Sequence, residues 1–121
     1  MDLHEHTWTE ADQAETDLAL IPVGSTEQHG PHDPMGTDFL AAETVASETA
    51  AQVDQDVLVT PPVPVGVSEE HRQFTGTLWV SPDTFRDYVR AAAASLTHHG
   101  WNRIVLGNGD GGKVSEQGEV A

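Results

Sequence analysis

Apolar positions fall in three short runs and two periodic stretches. Leu18-Ala19-Leu20-Ile21-Pro22-Val23 is continuous and apolar, and Gly24 and Ser25 end it abruptly, which is how a strand buried on both faces reads. A polar, turn-rich loop follows from Gly24 to Gly36. From Asp38 to about Gln52 the chain is built largely of Ala, Glu and Thr, with Phe39, Ala42, Val45 and Ala46 at helical spacing and Thr37 or Asp38 placed to cap the first turn. Val57-Leu58-Val59-Thr60 reads as a second strand, stopped by Pro61 and Pro62. After a long loop to Val80, Ser81-Pro82 opens a second helix, in which Phe85, Tyr88, Val89, Ala92 and Leu96 recur at spacings of three and four. Gly100 is placed to end it, and Arg103-Ile104-Val105-Leu106-Gly107 reads as a third strand. Strand, helix, strand, helix, strand predicts an α/β fold with a parallel sheet and right-handed crossovers.

Composition narrows the chemistry. The chain has 121 residues, 20 Asp plus Glu against 5 Lys plus Arg, a formal charge of −15 and no cysteine. So acidic a surface repels phosphate backbones and anionic lipid, which argues against a nucleic-acid or membrane partner. Without cysteine there is no disulfide framework and no thiolate nucleophile, and any metal must be held by oxygen and imidazole. With 37% hydrophobic residues the expectation is one small core. Lys113 is the only lysine, and the excess of Asp and Glu resembles that of salt-adapted proteins, the alternative being an ordinary acidic surface. Residues 1–16 read as a polar arm or one short helix, and 113–121 as a polar tail. The N-terminus has neither a basic n-region nor an apolar core, and no stretch is long enough to span a bilayer; a cytoplasmic protein is expected.

In a parallel sheet the ligand site lies beyond the carboxyl ends of the strands, so the loops after each strand matter most. In the first, Glu27 and His29 are two apart and project to the same side of an extended segment, and Asp38 at the head of the following helix reaches back to them. Two carboxylates and an imidazole suit zinc or manganese. By spacing alone, a hydrophilic loop with turn-forming Gly and Pro explains the same residues.

Three segments resemble one family. Pro22-Val23-Gly24-Ser25-Thr26-Glu27-Gln28-His29-Gly30-Pro31-His32, continuing to Gly36-Thr37-Asp38, resembles the first signature of the creatininase (creatinine amidohydrolase) family. Gly66-Val67-Ser68-Glu69-Glu70-His71-Arg72-Gln73-Phe74-Thr75-Gly76-Thr77 resembles its second loop, and Trp101 to Gly109 the strand leading to its glycine-rich motif. The resemblance runs from Leu18 to Gly112 and gives a domain over 17–112. It implies a three-layer α/β sandwich with a mainly parallel sheet, usually oligomeric, hydrolysing cyclic or linear amides through a divalent metal, Zn and/or Mn. Carried over, it makes Glu27, His29 and Asp38 metal ligands, Asp38 in a bridging role, and gives Glu70 and His71 a part in shaping the substrate pocket. The partners it implies are a small-molecule amide and further copies of the chain.

The chain also departs from the pattern. Asp110 stands where the family has a metal-ligating His, which makes it the fourth candidate ligand with a shorter, charged donor. Thr75 replaces a Pro and Lys113 a closing Asn. The chain is expected to be incomplete relative to the family domain, with a third strand short of neighbours. The alternative to an active amidohydrolase is therefore a truncated or degenerate, non-catalytic member that retains at most a weak metal site. Among the other residues, His32 is a candidate to orient a ligand or a plain surface group, and Trp79 a candidate for core or interface packing.

Overall fold

A computed structural model describes residues 1–108. Three strands, β1 (Leu18–Val23), β2 (Leu58–Val59) and β3 (Arg103–Asn108), form one parallel sheet in the order β2-β1-β3. Three helices accompany them: α1 (Trp8–Asp12), α2 (Thr37–Gln52) and α3 (Pro82–His98). Short 3-10 turns cover Leu3–Glu5 and Glu69–His71. No helix among the described residues is long and apolar enough to cross a membrane.

The central strand explains the layers. Alternate residues of β1 point to opposite faces. Ala19, Ile21 and Val23 pack with Phe85, Val89 and Leu96 of α3, while Leu18 and Leu20 pack with Ala46 and Ala50 of α2 and with Val57 and Val59. Among the described residues α2 thus covers one face of the sheet and α3 the other, where Ala11 of α1 also packs. The continuous apolar run of β1 follows from this double coverage.

Local chemistry sets the boundaries. The Ser81 hydroxyl accepts from the Thr84 amide at 3.2 Å and Pro82 starts α3, as the sequence signals. Gly100, at φ 102°, follows its C-terminus. At α2 the capping expectation fails. The cap position is Gly36, the Thr37 hydroxyl donates to the Pro34 carbonyl at 2.6 Å, and Asp38 lies inside the first turn with its carboxylate engaged elsewhere. Val45 and Tyr88, expected on core-facing stripes, are 60% and 59% exposed. α2 buries a narrower stripe, Asp38, Ala42 and Ala46, and α3 buries Phe85, Val89 and Leu96. β2 is shorter than the apolar run predicts, although the Thr60 amide still bonds the Leu20 carbonyl at 3.0 Å.

The two edges of the sheet differ. Met1 and Asp2 lie along the outer side of β2, where the Val59 amide donates to the Met1 carbonyl at 2.8 Å. Among the described residues β3 pairs with β1 alone, and its Val105 is 51% exposed.

Candidate metal centre

The loop leaving β1 is stitched to its neighbours by main-chain hydrogen bonds. Gly24 donates to the Val63 carbonyl at 3.0 Å, Leu78 to that of Thr26 at 3.0 Å, and Glu27 to that of Met35 at 3.0 Å. These bonds bring segments 60–66 and 68–78 alongside the first loop. Gly24 also lies against the Phe39 backbone, where a β-carbon would overlap it; only glycine lets α2 begin this close to the strand end.

The side chains of the first loop turn inward as a result. Ser25 is fully buried, Glu27 is 2% exposed and Asp38 is 8% exposed. The Ser25 hydroxyl lies between the two carboxylates, in a short contact with Glu27 Oε1 and 2.6 Å from Asp38 Oδ2. A hydroxyl has one proton to donate, so it satisfies one carboxylate at a time. Two buried carboxylates this close favour positively charged or hydrogen-bond-donating neighbours.

His29 is one such neighbour. Its Nδ1 donates to the Glu27 carbonyl at 3.1 Å, which turns Nε2 to Asp38 Oδ1 at 3.0 Å. The carbonyl bond is the main cause that raises the His29 pKa above the ordinary histidine value; partial burial opposes it, and the Asp38 carboxylate raises it further. With Nδ1 committed to the backbone, the neutral ring presents its Nε2 lone pair to the carboxylates, the orientation in which a metal-binding histidine is commonly held.

On the other side of Glu27 stands the second loop. His71 Nε2 is 2.9 Å from Glu27 Oε2 and 3.9 Å from Glu70 Oε1. Among the described residues, one group of potential ligands has a donor atom from each member within 4.8 Å of the others: Glu27, Glu70 and His71. Glu27 is therefore shared between two clusters, Ser25–Asp38–His29 on one side and Glu70–His71 on the other.

Five of the six site residues read from the sequence, Glu27, His29, Asp38, Glu70 and His71, thus meet at the carboxyl end of β1. Asp110 lies outside the described residues. His32 and Trp79 are exposed. Sequence reasoning passed over Ser25 and Gln28. Ser25 has a faint signal, its place two residues before Glu27, but its approach to Asp38, thirteen residues on, exists only in the fold.

The carboxylate and imidazole donors gathered here are of the kinds that bind a divalent ion, and among the described residues those close enough to one another to share one are Glu27, Glu70 and His71. Comparison with known proteins agrees with the resemblance seen in the motifs. The family profile for creatininase, described as creatinine amidohydrolase, matches residues 4–121. The mycofactocin precursor peptide peptidase of Mycolicibacterium smegmatis is 42% identical over 106 residues, covering 80% of this chain and 40% of the relative. The creatinine amidohydrolase of Pseudomonas putida is 34% identical over 113 residues, covering 87% of this chain and 43% of the relative. A solved structure described as creatininase Mn superposes with a TM-score of 0.86 at 28% identity, over 98% of this chain and 49% of that one. The chain thus spans less than half the length of these relatives. By the reach of the profile and the shared fold, it belongs to the creatininase family.

Proposed function

We propose that this chain carries the metal-binding half of an amidohydrolase active site, in which Glu27, His29 and Asp38 hold zinc or manganese for hydrolysis of a C–N amide bond. One observation carries the reading. Glu27 and Asp38 are 2% and 8% exposed and converge on the Ser25 hydroxyl with the His29 and His71 rings beside them, a buried set of oxygen and imidazole donors of the kind that holds a divalent cation. When bound, such an ion supplies Lewis acidity, polarising the amide carbonyl and activating water. The residues of the chain do the rest. His29 is oriented by the Glu27 carbonyl, and the burial of Ser25 keeps bulk water from the base of the site. Glu70, on the exposed rim, and His71, half-buried, border the space in which an amide would lie.

The substrate class is an amide, cyclic or peptidic, in keeping with the activities for which the two relatives are named. Phe74, Leu78 and Trp79, exposed by 43%, 51% and 43% on the second loop, support association with further copies of the chain, which light scattering measures.

Metal analysis of the purified protein, zinc and manganese titration, and hydrolysis assays on creatinine, a formamide and a short peptide test the proposal. Stoichiometric metal with turnover is the expected result. Stoichiometric metal without turnover favours a non-catalytic member of the family, and absence of binding refutes the ligand assignment.

A further inference from the structure

Glu27 touches two histidines whose rings are held in opposite states. His29 gives its Nδ1 proton to a main-chain carbonyl, leaving Nε2 to act as a ligand. At His71 the neighbour of Nδ1 is the side chain of Gln28, whose Nε2 lies 3.1 Å away. The orientation of the Gln28 amide is decided by its other end. Gly30 donates its backbone N–H to Gln28 Oε1 at 2.9 Å, and the positive φ of Gly30, 78°, belongs to the turn that presents this N–H. A flipped amide would set NH2 against N–H at Gly30, donor against donor. The NH2 group therefore faces His71 and can only donate, so Nδ1 accepts. Of the two neutral tautomers, only the one protonated at Nε2 is compatible with this network.

We infer that Gln28 is a positioning residue that fixes His71 as the Nε2–H tautomer, so that His71 is a hydrogen-bond donor to the Glu27 carboxylate and not a metal ligand. The inference rests on the reading of Glu27 as a metal ligand. It resolves the close grouping of Glu27, Glu70 and His71. The Nε2 of His71 lies as near the carboxylate as a ligand atom would, but it carries a proton where a ligand needs a lone pair. Outer donors of this kind orient ligating carboxylates, and their loss typically costs about 10–100-fold in metal affinity. The His71 Nε2 to Glu27 Oε2 distance, 2.9 Å, is within the range of such a donor contact.

The test is 15N NMR of the histidine rings of the full chain, without metal and with zinc. The chain has seven histidines, and His71→Gln removes and so assigns the relevant signals. Expected are a protonated-type Nε2 and an acceptor-type Nδ1 for His71, unchanged by zinc, and the opposite pattern for His29. Gln28→Glu, which offers Nδ1 an acceptor, should invert the His71 tautomer. Zinc affinity should fall about 10–100-fold in His71→Leu and stay within about threefold of the parent in His71→Gln, whose amide keeps a donor near the Nε2 position. A zinc-induced shift of His71 Nε2 to a metal-bound, unprotonated signal overturns the inference, as does a protonated Nδ1 in the metal-free protein. If the parent chain binds no zinc, the metal reading fails, while the metal-free spectrum still decides the tautomer.

Discussion

Replacing Ser25 by Ala removes one oxygen from the most charged buried point of the molecule. In the parent that hydroxyl lies between Glu27 Oε1 and Asp38 Oδ2, in residues 2% and 8% exposed. A hydrogen bond to a charged group contributes about 1.5–3 kcal/mol, and here its loss also removes the hydroxyl that separates two buried carboxylates. The upper half of that range applies, so the metal-free variant should be less stable by about 2–3 kcal/mol. For a domain of this size that lowers Tm by about 10 °C. Saturating zinc should shrink the deficit to less than half, because a cation between the carboxylates takes over the neutralisation. Thermal unfolding followed by circular dichroism, in chelator and in excess zinc, measures both quantities. Thr26→Ala is the control, since the Thr26 hydroxyl bonds a neutral main-chain carbonyl, that of Pro64, and its loss should be indifferent to zinc. A Ser25→Ala variant that melts within about 2 °C of the parent in chelator would show that the hydroxyl does not bridge the pair. A deficit of the same size with and without zinc would refute the charge argument.

The raised pKa of His29 gives the site a pH dependence of definite sign. In the metal-free protein the stability contributed by the imidazolium is complete below the ordinary histidine value and is lost as pH rises through the raised one. Zinc requires the Nε2 lone pair, so calorimetric titration should find tighter binding at about pH 8 than at about pH 6, and equal affinities would exclude His29 as a ligand. Gly24→Ala places a methyl group on the Phe39 backbone, and because neither the strand end nor the start of α2 can yield separately, a cost above about 3 kcal/mol is expected, read as loss of the folded circular-dichroism spectrum at ambient temperature. Phe85→Ala empties the largest fully buried side-chain position, 1% exposed between α3 and the sheet; about 3–5 kcal/mol should be lost, visible as a lower denaturant midpoint.

Much of the fold is legible along the chain because each element carries a local signal. The unbroken apolar run of β1 announces a strand covered on both faces, and Ser81-Pro82 marks the start of α3 through chemistry confined to one turn. The misjudged positions depend on what lies opposite. Val45 and Tyr88 have suitable spacing for the core but are 60% and 59% exposed, beside the narrower stripes that α2 and α3 bury among the described residues. Asp38 reads as a cap, yet its carboxylate is drawn into the site by Ser25 and His29.

The candidate site divides in the same way. The residue types and their order, Glu27, His29, Asp38, then Glu70 and His71, are properties of the sequence, and so is the resemblance that names the family. Their convergence is not. His71 reaches Glu27 from 44 positions away because main-chain bonds of Gly24, Glu27 and Leu78 draw the loops together, and Ser25 acquires its place between two carboxylates only when α2 closes on Gly24. Which ionisable groups are available, and which elements carry them, can be read along the chain, since propensity and periodicity act over a few residues. Which charges lose their water, which share a proton and which ring nitrogen presents a lone pair follow from the folded arrangement, because burial and hydrogen bonding depend on the neighbours that folding brings together.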